Sequence, residues 1–92
     1  MPRQMSEKEA LEYIDTAQGW ATLSTIGSDG YPHSVPIGWF RVHKKIYMGC
    51  IDKTQKVINI ERNRKISICI ESGTTMRDIK GVLLRGEACI VR

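Results

Sequence analysis

The chain of 92 residues has no long hydrophobic run and no signal-peptide pattern at its start. A membrane-spanning helix needs about 20 consecutive apolar residues, and a secretory leader needs a basic start followed by an apolar segment. Because neither pattern is present, a soluble cytoplasmic protein with no membrane partner is the default expectation.

Cysteine and histidine are scarce. The three cysteines, Cys50, Cys69 and Cys89, lie far apart and form no CxxC pair. An odd number at wide spacing argues against a disulfide framework or a zinc site. Each lies in an apolar run, which predicts buried or half-buried free thiols. Since the two histidines, His33 and His43, have no carboxylates at metal-ligand spacing, no metal site is expected.

Motifs for several other chemistries are missing. The chain has neither the glycines of a Walker loop nor the serine context of a nucleophile elbow, so hydrolytic catalysis has no support. The net charge is +4, but the six aromatic residues (three Tyr, two Trp, one Phe) are scattered and too few for a base-stacking platform. Binding to nucleic acid is therefore the weakest hypothesis, and no such partner is expected.

Apolar periodicity predicts two helices and five strands. A capping box at Ser6 and Glu9 begins the first helix, and Gly19 is the predicted left-handed stop. The second helix begins at Asp52 or Thr54 and ends at Asn63. The strands are predicted at 20–26, 31–42, 46–51, 66–70 and 81–91, the last with a bulge or bend at 86.

Short connections between these strands predict a mainly β fold, a small antiparallel barrel with two helices. We expect one domain over residues 1–92. The last strand runs to the end of the sequence with an open edge, which predicts either a second subunit or a missing C-terminal segment. Trp39 and Phe40 are adjacent on a strand and must face opposite sides. One is expected in the core, and the other at a ligand or a dimer interface.

Two neighbouring segments indicate a ligand site. Pro36 lacks an N–H, so we expect it to interrupt strand pairing and leave backbone groups free for a flat heterocycle. Thr54, Gln55 and Lys56 begin a helix, where free N–H groups, a hydroxyl and a lysine suit a phosphate. A threonine and lysine at this position are more often only a cap and a solvated charge. The pair of segments predicts a ring with a phosphate tail.

Together, these segments resemble the FMN-binding split-barrel family related to pyridoxamine 5′-phosphate oxidase. The likeness extends over residues 20–91, and the order and spacing of its segments carry it. The matching segments are 21–25 (ATLST), 30–37 (GYPHSVPI), 46–47 (IY), 54–63 (TQKVINIERN), 65–67 (KIS) and 80–88 (KGVLLRGEA). The resemblance implies a split antiparallel β-barrel.

The resemblance also implies FMN bound at the interface of a homodimer. Some relatives hold a deazaflavin or haem instead. The implied cofactor-binding residues are Thr54, Gln55 and Lys56 at the phosphate, Ser34, Val35, Pro36 and Ile37 along the isoalloxazine, and Gly49, Cys50 and Ile51 beside the ribityl chain and ring.

Two functions are compatible with such a site. The leading hypothesis is a flavin-dependent oxidoreductase acting on an unidentified small-molecule substrate or reductant, with the redox step carried by the flavin. The alternative is a non-catalytic flavin or haem carrier on the same barrel. The sequence identifies no catalytic acid or base.

Overall fold

The computed structural model describes residues 4–17 and 19–91. Its elements are α1 (Glu7–Thr16), β1 (Ala21–Ile26), β2 (Pro32–Ile37), β3 (Trp39–Val42), β4 (Lys45–Met48), α2 (Gln55–Arg62), β5 (Lys65–Ser72) and β6 (Lys80–Glu87). Neither helix has the length and hydrophobicity that a membrane crossing requires.

The strands form two antiparallel sheets. The larger sheet has the order β2-β1-β5-β6, and β3 pairs with β4 in a separate hairpin. The mainly β architecture with two helices agrees with the prediction, but the strand expected at 31–42 is two strands. The break falls at Gly38, where the chain leaves the edge of the larger sheet and begins the hairpin.

The core lies on the inner face of the larger sheet. Strand β1 alternates between buried and more exposed positions, as a strand with one covered face should. The period-two spacing of Ile66, Ile68 and Ile70 places them on one face of β5, and that face is the inner one, since Ile68 and Ile70 are only 4% and 2% exposed. The main core cluster consists of Ile14, Ala21, Leu23, Ile37, Ile60, Ile68, Ile70 and Val82.

The β3–β4 hairpin covers part of this core. Trp39 packs against the core cluster, whereas Phe40 is 59% exposed and stacks on Tyr47 with ring centroids 5.2 Å apart. The predicted opposite orientation of these neighbours is therefore confirmed. Arg41 ties the hairpin to α1 through Asp15, with Nε–Oδ1 and Nη2–Oδ2 distances of 2.6 and 2.5 Å. This hydrogen bond holds the pKa of the Asp15 carboxyl below its usual range.

Helix ends follow the sequence only in part. The capping box at Ser6 and Glu9 is present. Helix α1 ends at Thr16 with an extended C-cap residue, so Gly19, although its φ is +96°, is not the cap. Asn63 has a φ of −144° rather than a left-handed conformation. Asn63 is the C-cap residue, so the predicted end of the helix is confirmed, and its backbone is extended because the chain passes almost directly into β5.

The last strand is shorter and more regular than expected. Strand β6 ends at Glu87, and Gly86 pairs with Ile66 in an unbroken register, so there is no bulge. The predicted strand also included residues 88–91, which lie beyond β6 and form no strand.

Of the three cysteines, which were predicted to be buried or half-buried, only one is. Cys69, on β5, is half-buried, as predicted, but Cys50 and Cys89 are exposed. Both exposed thiols follow the end of a strand, so no sheet face covers them.

Candidate functional site

Strand β2, which carries the predicted ring-binding segment, is an edge strand of the larger sheet. Its side chains alternate between the two faces. Ser34 and Pro36 are exposed, Val35 is half-buried, and Ile37 is 4% exposed within the core. The side chain of Ile37 therefore cannot line a ligand from outside. Because side chains alternate along a strand, the four consecutive residues 34–37 do not all face the same side of the sheet.

Pro36 does not interrupt pairing, contrary to the expectation. It lies opposite Thr22 in a continuous β1–β2 register. The Gly27 N–H donates to the Tyr31 carbonyl at 2.8 Å, and bonded and non-bonded pairs alternate along an antiparallel ladder. Ser34 and Pro36 therefore direct their backbone groups away from β1. The proline costs no ladder bond, and the Ser34 N–H and both carbonyls face the open edge of the sheet.

A serine pair on the outer face extends this edge. The Oγ atoms of Ser24 and Ser34 lie 2.8 Å apart across the β1–β2 register. Ser67 lies opposite Ser24 on the next strand. Sequence reasoning missed Ser24. It lies between Leu23 and Thr25, which are both buried, and neighbouring residues of a strand face opposite sides, so Ser24 lies on the outer face.

The segment between β4 and α2 is exposed. Gly49, Cys50 and Ile51 follow β4 rather than ending it, because the strand stops at Met48. Ile51 is 79% exposed. Lys53 has a φ of +66°, a conformation that non-glycine residues adopt uncommonly and that recurs at binding turns.

The tip of α2 keeps backbone donors available. Thr54 is the N-cap residue, but its hydroxyl donates to the Ile51 carbonyl at 2.8 Å and caps nothing in the helix. The Thr54 side chain therefore caps none of the first-turn N–H groups, and N–H groups at a helix start are positioned to bind an anion. Thr54 and Lys56 are half-buried and Gln55 is exposed. This donor set fits a phosphate.

A buried polar chain fixes α2 on the sheet. Gln55 Nε2 donates to Asn59 Oδ1 at 2.8 Å, and Asn59 Nδ2 donates to Thr25 Oγ1 at 3.0 Å. Thr25 lies on β1, directly opposite His33 of β2. Helix α2 is thus bonded to β1, the strand that pairs with β2. No sequence pattern indicated this bond, because its partners are 34 residues apart.

The candidate residues line an open surface. A groove of about 980 Å³ lies between α1 and β6, and a smaller cavity of about 470 Å³ adjoins Trp39 and Arg41. Neither is lined by a predicted cofactor residue. Lys80, in the last of the matching segments, lines the larger groove at the opposite edge of the sheet from β2. The predicted cofactor residues therefore lie outside both of these cavities.

Comparisons with known proteins agree with this architecture. A family model described as pyridoxamine 5′-phosphate oxidase matches residues 6–92. The crystal structure of a conserved hypothetical protein from Mycobacterium tuberculosis superposes with a TM-score of 0.83 at 31% identity, over 91% of this chain and 52% of that one. A candidate 5-nitroimidazole antibiotic resistance protein from Bacteroides thetaiotaomicron superposes with a TM-score of 0.78 at 15% identity, over 91% of this chain and 55% of that one.

The second of these structures, at 15% identity, supports the fold alone. This chain spans about half the length of either protein. A search of curated proteins gives no match.

Proposed function

The chain belongs to the pyridoxamine 5′-phosphate oxidase family, and on that basis we propose that it binds FMN between two copies of itself. We further propose that it is a flavin-dependent oxidoreductase acting on a small molecule in the cytoplasm. The observation that carries the proposal is that the tip of α2 is tied to β1, the strand that pairs with the open edge strand β2.

The tip of α2 would hold the phosphate. Its free N–H groups and positive dipole end favour an anion, and the half-buried Lys56 adds a full positive charge. The Thr54 hydroxyl bonds the Ile51 carbonyl and so holds the preceding turn against the helix. A deazaflavin with a phosphate would use the same donors.

The edge of β2 would receive the ring. Unpaired N–H and C=O groups at a sheet edge can bond the polar rim of a heterocycle, and the Ser34 hydroxyl adds a further donor or acceptor. Bound flavin would supply hydride or electron transfer, while the protein positions and shields it. None of the candidate residues is a histidine or a carboxylate, a composition that equally suits a non-catalytic flavin carrier, whereas a haem carrier would have only Cys50 as an axial ligand among them.

A second copy of the chain would close the site. The predicted cofactor residues lie on an open surface, and large apolar side chains near them are exposed: Ile51 by 79%, Ile58 by 50%. Because these two side chains lie on the segment and helix proposed to hold the cofactor, a partner that covers the cofactor would also cover them. A twofold dimer would bury it and enclose the ring from the other side.

The first experiment is an absorption spectrum of the purified protein, with the cofactor identified after denaturation and FMN affinity measured by titration. Lys56→Ala should weaken FMN binding by about tenfold or more, because a charge-assisted hydrogen bond is lost. Lys45→Ala, at an exposed position of the hairpin, is the matched control and should leave affinity unchanged.

Two results would count against the proposal. If FMN does not bind, the cofactor is wrong. If it binds equally well to the Lys56→Ala protein, the phosphate position is wrong. Reduction of bound flavin by NADH or NADPH with multiple turnovers would favour the enzyme over the carrier.

A further inference from the structure

Asn59 and Thr25 are the buried polar residues of the described part of the chain, each 1% exposed. Burying an amide costs free energy unless its polar atoms are bonded. Both side-chain atoms of Asn59 have partners here, Gln55 Nε2 and Thr25 Oγ1. An aliphatic residue at this position would pack without needing either bond.

The bonds of Asn59 act at the end of α2 where the anion site is proposed. Gln55 is the first residue of the helix, and Asn59 follows one turn later. The chain Gln55–Asn59–Thr25 therefore links the first turn to β1, the strand beside β2. Packing already holds the helix to the core through Val57 and Ile60, which are 1% and 4% exposed. Apolar contacts are non-directional, whereas hydrogen bonds fix orientation.

We propose that Asn59 is a positioning residue for the phosphate group of the cofactor. This inference rests on the proposed function. Asn59 holds the first turn of α2 at a fixed orientation on β1, so that the helix N–H groups and Lys56 converge on the phosphate. Without the bond to Thr25, the helix stays packed but its tip is no longer held in that orientation.

The test compares FMN with riboflavin, which has the same ring and ribityl chain but no phosphate. The quantity measured is the dissociation constant for riboflavin divided by that for FMN, determined by fluorescence titration of the full chain. Asn59→Leu removes both hydrogen bonds at similar volume. Thr25→Val removes the bond from the other end and changes no residue of the helix.

A positioning role predicts that the ratio falls by about fivefold in both variants, the effect of one net hydrogen bond. Thr25→Ser keeps the hydroxyl and should keep the ratio. Val57→Ala is the matched structural control. It opens a cavity on the same helix and should lower thermal stability without changing the ratio.

A ratio unchanged in both Asn59→Leu and Thr25→Val would overturn the inference and leave only a structural role. Should Asn59→Leu fail to fold, Thr25→Val decides by the same criterion. A wild-type ratio near one means that no phosphate site exists, and it overturns the proposed function as well. A high wild-type ratio that neither variant lowers overturns the positioning role alone.

Discussion

Replacing Ile51 with serine should weaken the proposed homodimer and leave the isolated chain equally stable. Ile51 follows β4 in the exposed segment that leads into α2, and it is 79% exposed. A side chain with so few contacts contributes little to folding, so its loss should not change the free energy of unfolding of the monomer. In a dimer closed over the candidate site, the same side chain would be covered.

The magnitude follows from the exposed fraction. Full burial of an isoleucine side chain is worth about 1.5–3 kcal/mol, so covering the 79% exposed in one chain is worth roughly 1.2–2.4 kcal/mol. A twofold axis repeats the contact, which gives roughly 2.4–4.7 kcal/mol for the dimer. The dissociation constant of the dimer should therefore rise by roughly fiftyfold to three-thousandfold.

Sedimentation velocity over a range of protein concentrations measures this constant. Met76→Ser is the matched control, because Met76 is 87% exposed in the loop between β5 and β6. Its substitution should leave the dimer intact. A wild-type protein that stays monomeric at all concentrations would refute the dimer. A dimer that tolerates Ile51→Ser as well as it tolerates Met76→Ser would show that the interface lies elsewhere.

Three further predictions concern the fold. In urea titrations, Gly73→Ala should lower the free energy of unfolding more than Gly30→Ala. Both glycines have positive φ, but a Cβ at Gly73 would lie 2.5 Å from the Asp78 carbonyl oxygen, whereas a Cβ at Gly30 would meet open space. We expect about 1–2 kcal/mol at Gly30 and at least about 1 kcal/mol more at Gly73, and equal losses would contradict this reasoning. Hydrogen bonds from the Thr75 backbone and hydroxyl lower the pKa of Asp78. The ionised carboxylate therefore stabilises the fold at pH values above the ordinary aspartate pKa of about 4, and this stabilisation is lost as the pH falls through the lowered pKa. Asp78→Asn should therefore flatten the acid side of the stability profile, and an unchanged profile would exclude Asp78 as a contributor. His33→Leu should leave stability unchanged or raise it by up to about 1 kcal/mol, because the buried Nδ1 has no hydrogen-bond partner among the described residues; a large loss in thermal unfolding would reveal a bond that the ring makes.

Features set by short-range patterns were predicted correctly from the sequence. The capping box at Ser6 depends on residues three apart, and the opposite orientation of Trp39 and Phe40 follows from the strand period. The common face of the β5 isoleucines has the same origin. The order of these segments along the chain also identified the family, since it extends over nearly the whole sequence.

Features set by long-range pairing were not predictable. Pro36 keeps its place in the ladder because the register directs its nitrogen away from β1, and Ile37 lies in the core because the same register places it opposite Ala21. Cys50 is exposed because β4 ends two residues earlier.

The sequence by itself determined which local elements form and which chemical groups the candidate site contains, because capping and periodicity act between near neighbours. Only the tertiary structure decided that the edge of β2 is open and that α2 is tied to β1 through Asn59 and Thr25. Those arrangements depend on contacts between residues far apart in the chain, and no local pattern records which distant strand or side chain will be the partner.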